Sequence, residues 1–216
     1  MKIRILNLFA ATFISVAALA FSIQTAHAED KPLPAGTYKL DKHHASLTFK
    51  VLHMGFSNYT ADFDDFDATI ELDPAKPENA KVTATVNPNS LDLPNPPDGF
   101  TKEILGDKWL NAAKFPQITF TSTKVEMVDG KTAHISGDLE IMGVKKPIVL
   151  DAVFNGGHAG SPMESNARVG FSAKTNFNRS DFGFTQGIPA AGSNMGVGDK
   201  ISVEIEAEFK GPAQQK

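Results

Sequence analysis

Ile201-Ser202-Val203-Glu204-Ile205-Glu206-Ala207-Glu208-Phe209 carries an apolar side chain at every odd position and a hydroxyl or carboxylate at every even one. Strict alternation of this kind marks a strand with one face in an apolar medium and the other in water. The pattern recurs upstream. Leu47, Phe49 and Val51 alternate with Ser46, Thr48 and Lys50, and Ala133, Ile135, Gly137, Leu139 and Ile141 alternate with His134, Ser136, Asp138 and Glu140. Ala167, Val169, Phe171, Ala173, Thr175 and Phe177 form a further apolar row. One strand changes phase, with Tyr59, Ala61 and Phe63 odd but Phe66, Ala68, Ile70 and Leu72 even. An extra residue near Asp64-Asp65, a β-bulge, keeps that whole set on one face.

Further strands are expected over residues 37–42, 80–86, 117–128 and 146–155, and Asp129-Gly130 predicts a two-residue hairpin turn. The total is about nine short strands, the spacing of a barrel or sandwich. Helical signal is confined to one segment, where Phe100 with Ile104 and Leu105 with Trp109 are i,i+4 pairs behind an Asp98 cap. Pro94, Pro96, Pro97 and Gly106 keep it short, so it either plugs an end of the barrel or packs outside. Gly-rich loops are expected over 156–165 and 183–198, the second long enough to be functional.

The first 28 of the 216 residues read as a signal peptide. Lys2 and Arg4 precede an apolar run from Ile5 to Ile23, and Ala26-His27-Ala28 supplies the small-x-small cleavage pattern. Cleavage after Ala28 would leave one domain, 29–216, with a net charge of −6, since the lost segment carries Lys2 and Arg4 but no acid. The acidic balance disfavours nucleic acid as a partner, and no later segment is long enough to span a bilayer as a helix. With no cysteine in the chain, disulfides, thiol nucleophiles and Cys-based metal sites are excluded.

No catalytic constellation emerges. His43 and His53 are separated by about 33 Å of extended chain, adjacent His43 and His44 point to opposite faces, and His134 lies on a polar face. These read as surface or hydrogen-bonded histidines rather than metal ligands, so no metal site is expected. The acidic run Asp62, Asp64, Asp65 and Asp67 lacks the Gly and distal Glu of a calcium loop and reads as a solvated face. No serine sits in a nucleophile-elbow motif, and Gly196-Val197-Gly198 lacks the third glycine of a dinucleotide site.

Alternation does not say which way the apolar face points. One Trp and two Tyr are too few for the aromatic girdles of a membrane barrel, and the polar tail over 210–216 is unlike a closing membrane strand, so the inward reading is preferred. An inward apolar face leaves two options, a barrel filled by its own side chains or one that holds a ligand. The small inward residues Ala133, Gly137, Ala152, Ala167, Ala173 and Ala207 fit either.

Four stretches resemble the YceI-like family of periplasmic, polyisoprenoid-binding proteins. They are YKLDKHHASLTFKVLHMGF at 38–56, KFPQITF at 114–120, GDLEIMGVKKP at 137–147 and NRSDFG at 178–183. The resemblance runs in order through residues 29–216, though Phe100 to Leu105 departs from the pattern expected there. It implies an all-β, lipocalin-like antiparallel barrel of about eight strands with one short helix. It further implies a periplasmic carrier for a long isoprenoid or similar amphiphile such as a quinone or polyprenyl phosphate, with dimeric members and no other cofactor. On that reading the apolar lining comprises Leu47, Phe49, Val51, Phe120, Ile135, Gly137, Leu139, Ile141, Phe171, Ala173, Phe177, Val203 and Ile205. His53 and Arg179 match family positions and are the polar candidates near the mouth. Arg179 has two readings, a fork onto a phosphate or quinone oxygen and an ion pair with Asp181 or another carboxylate. The competing functions are an enzyme acting on a lipid or stress-derived electrophile, with His53 as base, and a filled module that binds an envelope partner.

Overall fold

The alternating segments all become strands. The computed structural model describes residues 31–213, so the expected signal peptide lies outside it. Ten strands follow in order: β1 (Gly36–His53), β2 (Ser57–Phe63), β3 (Phe66–Leu72), β4 (Lys81–Val86), β5 (Leu91–Asp92), β6 (Ile118–Met127), β7 (Thr132–Ile141), β8 (Val144–His158), β9 (Asn166–Asn178) and β10 (Val197–Ala213). Among the described residues a single α-helix, α1 (Phe100–Ile104), lies between β5 and β6, with short 3-10 turns elsewhere. All pairings are antiparallel.

The sheet closes through β1. One edge of β1 pairs with β10, while the other pairs with β3 near its start (Lys39 opposite Thr69) and with β2 near its end (Thr48 opposite Asp62). β2 and β3 therefore act as one bent strand in an eight-strand ring that continues through β4 and β6 to β10. The bend falls at Asp64-Asp65, the expected bulge, and brings Phe63 and Phe66 to the same inner surface.

A second phase change, not anticipated from the sequence, lies on β1. Tyr38 and Leu40 are the inward residues of its first part, and Ala45, Leu47, Phe49 and Val51 those of its second. Between Leu40 (opposite Phe209) and Ala45 (opposite Ala207), residues 41–44 bulge out against a single residue of β10. The two irregularities face each other across the sheet, and Lys42 Nζ reaches Asp65 Oδ1 at 3.0 Å.

The bulge on β1 is held by buried charge. Asp41 is about as buried as the core side chains around it, and its carboxylate accepts from Arg168 Nη1 at 2.8 Å, with Lys210 Nζ at 3.3 Å and His44 Nδ1 at 3.0 Å. Arg168 also donates to Glu164 and Glu208. Burial pushes the Asp41 carboxyl up, but the hydrogen bonds from His44, Arg168, Lys210 and the His43 amide outweigh it and hold the group well below the usual carboxylate range.

Several local expectations need correction. The β6–β7 hairpin is present, but its loop spans residues 128–131 and Gly130 keeps an ordinary negative φ. Asp129 Oδ1 accepts from the backbone N–H groups of Lys131 and Thr132, so the aspartate shapes the turn. The two-residue turn with positive φ is Met142-Gly143, between β7 and β8. Asp98 does not cap α1; Gly99 holds that position in the left-handed region without a side-chain cap. Residues 156–158 extend β8, and 210–213 belong to β10 rather than to a polar tail.

The outer face is charged. Lys50 and Lys174 both approach Glu204, at 3.0 and 3.7 Å, and His134 meets Asp151 at 2.8 Å. A lipid-facing band does not look like this, so the apolar face is the inner one.

Asp41→Asn is expected to destabilise the barrel by about 2 kcal/mol at pH 7, the scale of a charge-assisted hydrogen bond. The folded pKa of Asp41 is depressed, so its contribution is complete above the unfolded value near 3.9 and is lost as pH falls through the folded one. Urea melts at pH 7 and pH 3 should therefore show a wild-type minus variant difference that shrinks on acidification.

Candidate functional site

The inner face does not meet itself. It encloses a cavity of about 850 Å³ that runs the length of the barrel. At one end it is lined by Leu33, Pro74, Pro77, Met127 and Lys131, and at the other by His53, Tyr59, Asn95, Trp109 and Arg179. The wall between is aliphatic and phenyl, with Phe49, Phe66, Phe120, Phe154, Phe171 and Phe209 among its rings. This volume lies in the upper part of the usual range of about 300–1,000 Å³ for small-molecule sites.

The sequence left a filled barrel and a hollow one undecided, and the structure is hollow. Of the residues expected to line a cavity, all but Gly137 border this one. There the Phe120 ring occupies the space that a Cβ would need, and the Thr121 carbonyl crowds it from the backbone side. Gly137 thus seats a lining ring instead of lining the cavity itself. Ala167, also expected to face inward, is fully buried in a side-chain cluster with Tyr38, Val169 and Phe209.

The ends are built differently. Near the start of β1, Tyr38 is fully buried and donates from its hydroxyl to the Pro34 carbonyl at 2.7 Å, packing with Ile70, Val169 and Phe209. At the other end β2 has only the two-residue β5 on its outer edge. Ala61, Leu91, Leu93 and Leu110 form the buried cluster there, with Phe100, Ile104 and Leu105 packed against them. Phe100 and Ile104 also line the cavity, so α1 closes part of this end. Leu105 to Trp109 continues as turns rather than helix.

Of the two polar candidates, His53 is exposed at the rim of the α1 end, opposite Ser57 on β2 and Val197 on β10. Arg179 lines the cavity but is only 2% exposed. Its Nε donates to the Gly198 carbonyl at 2.9 Å, Nη1 to Phe184 and Gln186 at 3.0 and 2.8 Å, and Nη2 to Val197 at 2.8 Å. The guanidinium stacks over the Phe184 ring at 5.0 Å and the Trp109 ring at 5.7 Å. Burial lowers its pKa and nearby Asp199 raises it, with burial the larger effect, yet an arginine this far above neutrality keeps its charge. Neither expectation for Arg179 matches this arrangement. Its donors go to backbone carbonyls of residues 184–198, not to Asp181, and one N–H remains where a fork onto phosphate needs two. Asp199 instead accepts from the Ser180 N–H and hydroxyl, at 2.9 and 2.7 Å.

Several of the remaining histidines and acids have ordinary partners. His158 Nδ1 accepts from the Gly160 N–H, Asp62 accepts from Thr48, and Asp65 pairs with Lys42. Asp41, His44 and Glu208 bring ligand atoms within 4.8 Å of one another, but Arg168 Nη1 already bridges Asp41 and Glu208. A cation there would have to displace a guanidinium. Lining residues that the motifs did not single out include Asn95, Trp109, Lys131 and Thr175. Thr175 alone was visible, in the β9 alternation.

Arg179→Lys keeps the charge but cannot reach four diverging carbonyls. It should destabilise the protein by about 2–4 kcal/mol, given about 1–3 kcal/mol for each buried polar group left unpaired. Limited proteolysis should cut residues 183–196 faster in the variant than in the wild type.

Comparison with known proteins agrees with this architecture. Residues 38–209 match the YceI-like domain family. A UPF0312 protein of Pseudomonas fluorescens is 39% identical over 166 residues, 76% of this chain and 84% of that protein. The YceI protein of Campylobacter jejuni superposes with a TM-score of 0.62 at 32% identity, covering 74% of this chain and 88% of that one. A polyisoprenoid binding domain from Saccharophagus degradans has a TM-score of 0.61 at 14% identity, covering 83% of this chain and 100% of that one. The family match spans most of the chain and takes in the strands that close the barrel and wall its cavity, and the chain belongs to the YceI-like family.

Proposed function

We propose that the protein is a periplasmic carrier that holds an isoprenoid lipid, such as a quinone or polyprenyl phosphate, with its chain inside the barrel. The observation that carries this reading is the continuous apolar cavity from one end of the barrel to the other. Interiors of stable proteins close to crystal-like density, and a chain selected for stability alone would not keep such a space. A long hydrocarbon tail gains about 0.8 kcal/mol for each methylene taken out of water, so this wall needs no specific polar contact to bind one. Phenyl rings suit an unsaturated, methyl-branched chain because their flat faces pack against its planar double bonds. At the α1 end His53 and Asn95 line the cavity and would meet the phosphate of a polyprenyl phosphate.

Two further points support the reading. The Saccharophagus degradans domain of the same fold is a polyisoprenoid binding domain. The basic start and apolar run of residues 1–28 fit export, and among the described residues no helix is long and apolar enough to cross a membrane. Binding is favoured over catalysis because the wall between the two ends carries no titratable side chain among the described residues.

Native mass spectrometry of protein purified gently from a periplasmic extract should show an added mass matching a prenyl lipid. A ligand-free spectrum, together with no uptake of added prenyl lipid, would overturn the proposal. Ala173→Phe places a ring in the cavity and should cut prenyl-lipid uptake at least tenfold while moving the melting temperature only a few degrees. Gly137→Phe is unsuitable for this test, because Phe120 blocks its side chain and the variant would misfold.

A further inference from the structure

Thr175 sits on β9 between Ala173 and Phe177, and all three side chains face the cavity. Its partner across the ladder is Val203 of β10, which lies opposite Phe49 of β1. The other lining residues with hydrogen-bonding side chains, His53, Tyr59, Asn95, Trp109, Arg179 and Lys131, stand at the two ends. Thr175 lies four residues before Arg179, which directly follows the end of β9, and so about 13 Å deeper into the barrel.

Its burial is what draws notice. Thr175 is 6% exposed, grouped with Asp41 and Arg179 as the buried polar side chains among the described residues. Asp41 and Arg179 each have several partners, whereas the Thr175 hydroxyl has none among the described residues. A buried hydroxyl with no partner is a cost to folding, and valine fills the same volume without it. The hydroxyl is not fully enclosed by protein atoms; it opens onto the cavity.

We infer that Thr175 is the internal hydrogen-bonding point of the cavity, and that it selects ligands carrying an oxygen within the barrel over pure hydrocarbons. This rests on the carrier reading and deepens it. A threonine hydroxyl both donates and accepts, so a carbonyl, ether or hydroxyl oxygen at that depth would satisfy it. A quinone ring drawn inside the barrel presents such a carbonyl, and with the ring at this level its tail extends towards the Lys131 end. An anionic phosphate does not belong there, since the surrounding wall is apolar.

The test compares Thr175→Val and Thr175→Ser with the wild type, using two probes: a polyprenyl benzoquinone, and squalene as an oxygen-free isoprenoid. Thr175→Val should weaken quinone binding roughly three- to tenfold, the range for one neutral hydrogen bond, and leave squalene binding within twofold. Thr175→Ser should retain most of the quinone affinity. The ligand-free Thr175→Val protein should melt no lower than the wild type, because it loses no internal hydrogen bond. Unchanged quinone affinity in Thr175→Val, an equal loss for both probes, or a clear fall in its melting temperature would overturn the inference while leaving the carrier reading in place. Binding of neither probe by the wild type would overturn both.

Discussion

The barrel depends on β1 satisfying two edges at once. A backbone strand must pair its N–H and C=O groups on both sides when it is enclosed, and β1 does so with β10 along one edge and with β3 and then β2 along the other. Its residues change phase at 41–44, which would turn half of its apolar side chains outward in a sheet of uniform register. The neighbouring strand changes phase at the same level, at Asp64-Asp65, so the inner surface stays apolar through the break. Lys42 and Asp65 tie the two irregularities together on the outside, and Asp41 with Arg168 fixes the first against β9. These charges act less as isolated bonds than as markers of register, because only one alignment of the strands pairs all of them.

The wall that results is apolar in chemistry but not close-packed in its middle. Rings such as Phe171, in tilted or edge contact with Phe154 and Phe209, brace one another around the cavity instead of filling it. Backbone hydrogen bonding around the ring lets the sheet hold its shape without a packed centre. Arg179 plays a similar part at one end. It ties the backbone of residues 184–198 together, so a residue that looks electrostatic by sequence is a fastening for a loop.

Much of this was legible in the sequence, because period-two alternation is a direct imprint of one-sided burial. The rows through Leu47, Ile135, Phe171 and Val203 predicted the wall, and the odd-to-even switch between Phe63 and Phe66 predicted the bulge. What escaped has physical reasons. The phase change on β1 was hidden because Asp41, Lys42, His43 and His44 are all polar and show no parity. Gly137 was misread because parity tells which face a residue is on but not whether a neighbouring ring already covers it. Arg179 was misread because its acceptors are carbonyls, which every residue has and no composition reveals. The loop at 128–131 was misjudged because Asp129 bonding to two amides makes a longer turn as good as the tight one that Asp-Gly suggests.

Closure also bears on how the chain behaves in a crowd. A segment such as Ile201 to Phe209, strongly β-forming and apolar on one side, would template pairing with another chain if it stood at the edge of an open sheet. In the ring it is paired on both sides, by β1 and by β9. The outermost strand in the sheet order is β5, and two residues are too few to recruit a neighbour. A protein whose inner surface is unusually greasy thereby keeps its most β-prone segment from serving as the ladder on which aggregation begins.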